Sequence, residues 1–316
     1  MASSSFYKKT LDFMTTIHKT ISIGIPAYNE AENIKDLLTL LVNQKTKRGT
    51  IFEIIVVSDG STDDTVNIAK SVKDSRIQII ANNERRGLNP TQNEIVRRAT
   101  GDILVLLNAD VLPVGDLFVE DLVTPFFENS KIGLTGADTI CARPLGWFEA
   151  VIVRGHQLRV HMYRAINKTN NLYLCHGRAR AFSRALYSQI QWPEECPEDS
   201  YSYLFAISKG FQFAYVRSAE VIFRSPTTFR DYVKQNQRFA RGKQLLSGHF
   251  SQAFVKKHFH IPAGSFGRTL VAYSPRKPFT TIAYGALFCI VRLFYRDYTS
   301  DDIRHDVSTT TKKINV

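Results

Sequence analysis

Long hydrophobic runs and clustered cysteines are both missing from this chain of 316 residues. The longest apolar stretch, residues 281–291, is shorter than the roughly 20 residues that a membrane-spanning helix needs. The four cysteines stand apart, without a CxxC pair or a Cys/His spacing typical of zinc, and no HExxH motif occurs. The sequence therefore excludes several membrane spans within these residues, a zinc module and a zinc-peptidase helix.

A continuous apolar core, the mark of a secretory leader, is also missing from the first twenty positions. Residues 1–20 are polar with scattered apolar side chains, so we interpret them as a short amphipathic lead-in. Scattered cysteines are typical of a reducing compartment. We therefore expect a cytoplasmic protein.

Acidic residues are too few to balance the basic ones. The chain has 41 Lys and Arg against 29 Asp and Glu, and the net charge of +12 indicates an anionic partner: nucleic acid, an anionic membrane face or phosphorylated ligands. The aromatic residues are not interleaved with the basic ones as a base-stacking platform requires, so we expect no nucleic acid. Arginines flank residues 281–291, which is typical of an interfacial helix; a buried core helix is the alternative.

Apolar runs and polar turns alternate regularly in the first half. Strands are predicted at residues 21–25, 51–57, 77–81 and 103–107, with helices from Asn29 or Glu30, at 62–72 and at 92–99. This order predicts a doubly wound, mostly parallel α/β sheet with helices on both faces. From Gly133 onward the alternation fades. There we expect helices at 151–167, 200–208 and 228–247, and strands at 211–216 and 220–223.

Four short segments place carboxylates where apolar runs end, and they carry the functional signal. They are residues 24–30 (Gly-Ile-Pro-Ala-Tyr-Asn-Glu), 58–65 (Ser-Asp-Gly-Ser-Thr-Asp-Asp-Thr), 107–110 (Leu-Asn-Ala-Asp) and 197–199 (Pro-Glu-Asp). An open α/β sheet binds its ligand at the carboxyl ends of its strands. Three acidic sites there indicate a nucleotide, a metal ion and a base acting on one small molecule.

Each acidic site also has a plain structural alternative. Asp59 is placed to accept hydrogen bonds from a base or a ribose, or else to cap the next helix. Asp110 supplies oxygen ligands suited to Mg²⁺ or Mn²⁺, with Asn108 offering a neutral oxygen, or else ends an ordinary turn. Asp199 follows other acids that can raise its pKa and make it a general base, or else lies in a solvated acidic loop.

Basic, amide and imidazole side chains are further candidates for binding the ligand. Gln235 and Arg238 lie three apart and share a helix face that suits a diphosphate or sugar hydroxyls; a plain surface helix is the alternative. Arg86 follows the third strand and can place a cation near the base or phosphates. His176 differs from the other histidines because it precedes Gly177 and a run of arginines.

Together these segments resemble glycosyltransferase family 2, the inverting sugar transferases with the GT-A fold, from about Ile21 to about Gly242. The resemblance is carried by residues 25–30 with Asn33, 59–63, 108–110, 198–199 and 235–239. It implies a base at Asp199 that deprotonates the acceptor and a metal, Mn²⁺ or Mg²⁺, held by Asp110. It also implies a donor site formed by Pro26, Tyr28, Glu30, Asp59, Arg86, Asn108, Ala109, Asp110, Gln235 and Arg238. The acceptor site is expected at His176, Gly177 and Glu198.

Two positions depart from the family pattern. Asn108 replaces the first acid of the DxD motif, so metal dependence is expected to be weaker or to rely on water. Phe239 replaces the tryptophan of QxxRW, which argues against processive polymerisation.

The resulting prediction is a metal-dependent hexosyltransferase that moves a sugar from a nucleoside diphosphate, preferably UDP, to an acceptor hydroxyl. We expect a lipid-linked saccharide acceptor, a role in polysaccharide or glycan biosynthesis, and peripheral contact with the cytoplasmic face of a membrane. The alternatives are a polyprenyl-phosphate sugar synthase and a non-catalytic module that binds sugar nucleotides. The expected units are a lead-in (1–20), a GT-A domain (21–247, halves 21–132 and 133–247), an amphipathic membrane-interface segment (248–297) and a polar tail (298–316).

Overall fold

A computed structural model of the chain describes residues 18–293 and residue 314. The predicted lead-in and polar tail lie almost entirely outside these residues. The strands are β1 Lys19–Ala27, β2 Gly49–Asp59, β3 Ile77–Asn82, β4 Ile103–Leu107, β5 Val111–Pro113, β6 Ile132–Cys141, β7 Ala179–Ser183 and β8 Gln212–Phe223.

Helices surround these strands. They are α1 Ile34–Val42, α2 Thr65–Ser71, α3 Leu88–Arg98, α4 Phe118–Val123, α5 Pro125–Glu128, α6 Trp147–Arg164, α7 Arg184–Tyr187, α8 Glu198–Ser208, α9 Phe229–Leu246, α10 Gln252–His258, α11 Ser265–Tyr273 and α12 Pro278–Leu293. Short 3-10 turns cover Asn167–Thr169, Leu172–Leu174 and Ser274–Arg276.

The strands form one eight-stranded sheet in the order β3-β2-β1-β4-β7-β6-β8-β5. The first four are parallel, β7 is antiparallel to both β4 and β6, β6 and β8 are parallel, and β5 closes the edge antiparallel to β8. The prediction of a doubly wound, mostly parallel sheet is therefore confirmed.

Alternate residues of the central strands supply two separate cores. In β4, Val105 points into the core that contains α1, whereas Leu104 and Leu106 point into the core on the other face, which contains α8. Successive side chains of a strand point to opposite faces, so a strand that is apolar at every position has to be covered on both sides. This is why continuous apolar runs, rather than alternating ones, mark the centre of this sheet.

Two helices begin at positions other than those expected. Asn29 has a φ of 53°, which is a left-handed conformation that ends strand geometry and delays α1 until Ile34. Helix α3 begins at Leu88 rather than at Gln92. It includes Pro90 in its first turn, where a missing N–H costs nothing.

The second half of the sheet is where sequence prediction was incomplete. Strands β5, β6 and β7 were not expected, because β5 has three residues, β6 contains two glycines, and β7 is only five residues long with Arg180 as its second residue. Residues 211–216 and 220–223 are in fact one strand, β8. A register shift pairs Ala137 with Val216 and Asp138 with Glu220, so the three residues between them bulge out of the ladder.

Helix α12 packs one face against α6. Tyr284, Leu287 and Val291 are buried there with Val151 and Ile152 of α6. Its other face exposes a stripe of apolar side chains: Phe279 is 84% exposed, Ile282 71% and Leu293 73%. One face of α12 is thus packed in the core as the second alternative expects, and the interfacial helix stays a prediction. Among residues 18–293, no helix combines the length and the hydropathy that crossing a membrane would require.

The seam between α6 and α12 depends on Gly155. A Cβ atom at this position would lie 2.0 Å from the Tyr284 ring, whereas one at Gly285 would meet nothing within 4 Å. We expect Gly155→Ala to lower the free energy of unfolding by about 1–3 kcal/mol through overpacking. Gly285→Ala, the matched control, should leave stability unchanged or raise it by up to about 1 kcal/mol. Chemical denaturation measures both, and equal effects would show that the two helices do not pack this way.

Candidate active site

The carboxyl ends of β1, β2 and β4 meet at one edge of the sheet, and β7 begins at the same edge. The backbone N–H of Asn108, just after β4, donates to the carbonyl of Arg178, just before β7, at 3.0 Å. This bond extends the β4–β7 ladder by one residue. It places the 108–110 turn directly beside residues 176–178.

On one side of this junction, Asp59 holds the loop that follows β3. Its buried carboxylate accepts hydrogen bonds from the backbone N–H groups of Arg86 (2.9 Å) and Gly87 (2.8 Å). It does not cap α2, where the Thr65 N–H donates instead to the Asp63 carboxylate at 3.0 Å. A carboxylate has about four lone-pair sites, so Asp59 keeps acceptor capacity for a ligand while it shapes the loop.

The β1–α1 loop forms the neighbouring wall. Asn29 accepts from the backbone N–H of Thr62 at 2.8 Å, which fastens this loop to the one after β2. Pro26 and Glu30 are buried, and Asn33 donates to the Glu30 carboxylate at 3.3 Å. Tyr28 is half-buried and lies under the Arg85 guanidinium, 4.2 Å from ring centroid to Cζ. Of the three residues predicted here, Tyr28 therefore presents the most accessible side chain.

Arg86 is tied to the rest of the wall through Glu94 of α3. Glu94 is buried, and burial raises its pKa, but hydrogen bonds from Arg86, Arg98 and Asn82 outweigh burial and bring the pKa to about 2. The carboxylate is thus charged at neutral pH and fixes the Arg86 guanidinium at the edge of the loop that Asp59 holds.

Asp110 is half-buried at the end of β4, and Ala109 before it is buried. Within residues 18–293, the Asp110 carboxylate and the side-chain amide of Asn108 make no hydrogen bond or ion pair. The same part of the chain contains no cluster of three His, Cys, Asp or Glu side chains able to hold a metal ion. Mg²⁺ is often bound by only one or two carboxylates together with substrate phosphates, so the residues present fit a metal that arrives with a diphosphate.

Asp199 lies in the first turn of α8, against Gly177. A Cβ atom at Gly177 would lie 2.2 Å from a Glu198 carboxylate oxygen and 3.7 Å from the Asp199 Cβ. The Glu198 carboxylate therefore lies directly against Gly177, and the Asp199 side chain begins within van der Waals reach of the same position. Burial, followed by the charge of Asp199, raises the pKa of Glu198. The surroundings thus favour the protonated form of Glu198.

The acidic loop is held by residues that sequence reasoning did not single out. Asn89 donates to the carbonyls of Pro193 (2.5 Å) and Cys196 (2.8 Å). Fully buried Arg180 donates to the Glu198 carbonyl (2.8 Å) and the Ser202 hydroxyl (2.7 Å). Sequence patterns alone did not predict that Arg180 is buried. Its position inside β7 could have been recognised only if the strand itself had been predicted.

Helix α9 brings Gln235 and Arg238 to the same region. A Cβ atom at Gly242 would lie 2.9 Å from the Pro197 Cγ, so α9 packs against the residue that precedes the acidic pair. The positive charge of Arg238 partly offsets the upward pKa shift of Glu198. Arg238 is exposed and Gln235 half-buried. Phe239, at the tryptophan position of QxxRW, is 63% exposed.

Known proteins share this arrangement in sequence. Residues 22–191, more than half of the chain, match the family model described as Glycosyl transferase family 2. Glycosyltransferase AglE of Haloferax volcanii is 33% identical over 102 residues, 32% of this chain and 33% of that one. A dolichol-phosphate mannosyltransferase of Pyrococcus furiosus is 32% identical over 92 residues, 29% of this chain and 26% of that one. An N-acetylglucosaminyltransferase of Azorhizobium caulinodans is 24% identical over 237 residues (70% and 59%). The chain thus matches less than two thirds of each relative.

Solved structures share the fold. A Pyrobaculum calidifontis mannosyltransferase, determined with GDP-Man and Mn²⁺, superposes with a TM-score of 0.60 at 18% identity, over 92% of this chain and 89% of that one. Glucosyl-3-phosphoglycerate synthase of Mycobacterium tuberculosis, determined with Mn²⁺, UDP and phosphoglyceric acid, has a TM-score of 0.51 at 21% identity, over 72% and 78%. The predicted GT-A fold is confirmed by these likenesses.

The Glu94 contacts predict a specific dependence of stability on pH. The folded pKa of about 2 lies below the ordinary value of 4.5, so these contacts stabilise the protein above pH 4.5 and are lost as the pH falls towards 2. We expect Glu94→Gln to cost about 1–3 kcal/mol of unfolding free energy at pH 7. The difference from wild type should shrink on acidification.

Unfolding curves between pH 7 and pH 3 measure this difference. The exposed Glu128, paired with Arg48 at the surface, provides the control variant Glu128→Gln, which should differ little from wild type at any pH. If Glu94→Gln lowers the free energy of unfolding by the same amount at every pH, the lowered pKa of Glu94 would be contradicted.

Proposed function

Because the chain belongs to glycosyltransferase family 2, we propose that this glycosyltransferase uses a UDP-linked sugar as donor and inverts the anomeric centre on transfer to an acceptor hydroxyl. One observation supports the proposal: the Asn108–Arg178 hydrogen bond joins the 108–110 turn to residues 176–178, and the acidic pair Glu198–Asp199 lies against Gly177 of that segment. In-line transfer needs charge stabilisation on the leaving side and a base on the attacking side.

The residues divide the chemistry between them. Asp199 accepts the proton of the acceptor hydroxyl as the oxygen attacks the anomeric carbon. Attack from the face opposite the leaving diphosphate inverts that centre. Asp110, with Asn108 beside it, would hold Mn²⁺ or Mg²⁺, which when bound neutralises charge on the diphosphate. Arg86 adds positive charge beside Asp59, and Arg238 adds it beside the acidic pair Glu198–Asp199.

The donor site is proposed on the walls formed by Tyr28, Asp59 and the Arg86–Gly87 loop. One structural neighbour was determined with GDP-Man and the other with UDP, which supports a nucleotide site in residues 21–132. The sheet order supports the predicted division as well, since the neighbouring strands β3, β2, β1 and β4 all precede residue 132, whereas β6, β7 and β8 begin at or after it. The division and the unit boundaries stay predictions.

A lipid-linked saccharide acceptor is the finer part of the proposal. Its support is the exposed stripe of α12, in which Phe279, Ile282, Ile290 and Leu293 recur at helical spacing. Exposed cations flank the stripe: Arg268 on α11, then Arg276, Lys277 and Arg292. Apolar side chains with basic neighbours bind to anionic bilayers through both effects. This surface would place the active site beside membrane-bound acceptors.

Donor turnover tests the reaction. We expect purified protein with Mn²⁺ to release free nucleotide slowly from one sugar nucleotide of a UDP and GDP panel. Asp110→Ala should reduce release by at least ~100-fold, because leaving-group charge would go unneutralised. Asp199→Asn should retain stabilisation by the donor in thermal unfolding but lose transfer to an acceptor by at least ~100-fold.

Asp116→Asn is the matched control, since Asp116 is an exposed acid paired with Lys45. It should leave turnover unchanged. Donor binding without any turnover, and without an effect of Asp199→Asn, would favour a non-catalytic module. A sugar phosphate as product, measured by mass spectrometry, would favour the polyprenyl-phosphate sugar synthase.

Vesicle binding tests the membrane surface. We expect sedimentation with phosphatidylcholine vesicles that contain phosphatidylglycerol, at low salt, and at least tenfold weaker binding of the double variant Phe279→Ser/Ile282→Ser, because each buried apolar side chain contributes about 1.5–3 kcal/mol. Phe52→Ser removes a comparably exposed ring from β2 and should bind as wild type does. Equal binding of the double variant and wild type, or no binding by wild type, would refute the proposal.

A further inference from the structure

A cluster of cationic and imidazole side chains surrounds Phe223 at the end of β8. The Arg178 guanidinium lies over the Phe223 ring, with Cζ 3.5 Å from the ring centroid. The His156 ring meets the same phenyl edge-on at 5.1 Å, and the His176 ring lies 6.3 Å from His156. Phe223 thus fixes two of these groups beside the Asp110 turn, to which Arg178 is joined through its carbonyl.

Arg178 is the member of this cluster whose charge is left without a fixed counterion. Within residues 18–293 its side chain makes no ion pair and no hydrogen bond. Two other arginines of this region are neutralised: Arg224 pairs with Glu149 at 3.0 Å, and Arg164 pairs with Asp138. Burial lowers the pKa of Arg178, whereas Asp110 and Asp199 raise it. A guanidinium held in this way can bind a negatively charged group of a ligand that lies beside the Asp110 turn.

Arg159 and His176 extend the cluster under α6. Arg159 follows His156 by three residues, so the two share a face of the helix, and it donates to the hydroxyl of Tyr284. The His176 Nε2 atom is buried and has no hydrogen-bond partner among the described residues. Burial, together with Arg178 and Arg159, lowers the pKa of His176 to about 3, so the ring is neutral at pH 7 and can donate one N–H.

We propose that Arg178, Arg159 and His176 bind an anionic group, a phosphate or a carboxylate, that the acceptor carries near its reacting hydroxyl. This assignment rests on the proposed glycosyl transfer. It follows from position, because the nucleotide half of the sheet is β3-β2-β1-β4 and the cluster lies at the ends of β7, β6 and β8, on the other side of Asp110. The donor nucleotide and the cluster therefore occupy opposite sides of the junction.

The acids that face the cluster leave its positive charge available. Glu149 and Asp138 are already paired with arginines. Asp110 and Asp199, whose charges act on Arg178, are the two assigned to the metal and to the acceptor hydroxyl. An anion on the acceptor would supply the counterion that the cationic cluster lacks. It would accept from the guanidinium groups in charge-assisted hydrogen bonds and from the orphaned His176 Nε2.

Calorimetric titration of inorganic phosphate and of glycerol 3-phosphate into the full chain tests the site, with UDP and Mn²⁺ present so that the donor pocket is filled. We expect saturable binding, no binding of glycerol, and at least tenfold weaker binding in Arg178→Gln and in Arg159→Gln. Arg178→Lys keeps the charge and should retain part of the affinity. Arg97→Gln removes an exposed charge from α3 and should bind as wild type does.

The outcomes separate the two proposals. UDP binding measured alone reports on the donor site, and it should be unchanged in Arg178→Gln. Failure of UDP to bind would count against the proposed transfer, whereas failure of phosphate to bind would overturn only the anion site. Equal losses in Arg178→Gln and Arg97→Gln would overturn it too. If Arg178→Gln instead weakens UDP-glucuronate but not UDP-glucose, the anion belongs to the donor sugar and the acceptor assignment is wrong.

Discussion

The antiparallel contact between β4 and β7 is the constraint on which the rest of this active site depends. Asp59 and Asp110, the site carboxylates predicted in the first half, lie at the ends of parallel strands, and such strands alone would supply only the proposed donor side. Reversal of β7 brings residues 176–178 back to the end of β4, where the Asn108–Arg178 hydrogen bond joins them. A loop of the second half thereby becomes part of the edge built by the first.

Buried polar contacts then fix the acidic segment against this junction. Arg180 reaches through the core to the first turn of α8, and Asn89 holds the loop before it from the opposite side. A buried guanidinium is costly unless its hydrogen bonds are made, so these contacts favour one position of the loop over others. Asp199, the proposed general base, is therefore positioned by side chains on β7 and α3, which belong to different halves of the chain.

Local sequence patterns predicted those parts of the fold that depend on local rules. Continuous apolar runs identified β1, β2 and β4, since each is buried on both faces, and the acidic turns after them identified the ligand-binding edge. The patterns failed at β6 and β7, which have glycines or a buried arginine where a strand usually has apolar residues. These strands form because partners far away in sequence pair with them. Apart from His176, the cationic cluster around Phe223 was missed for the same reason. Phe223, Arg178 and His156 meet only once β8, β7 and α6 are packed together.

Tyr284 links two surfaces that appear unrelated in sequence. Its hydroxyl accepts from Arg159 in the cationic cluster, while the ring packs on Gly155 and the opposite face of its helix is the exposed apolar stripe. The helix that carries the outer stripe therefore also contacts the cationic cluster. A fragment cut at the end of the family match, residue 191, would lack β8, α9 and this helix. A unit that keeps the Arg159–Tyr284 contact thus extends about a hundred residues beyond the recognisable motif region, to the last turn of α12.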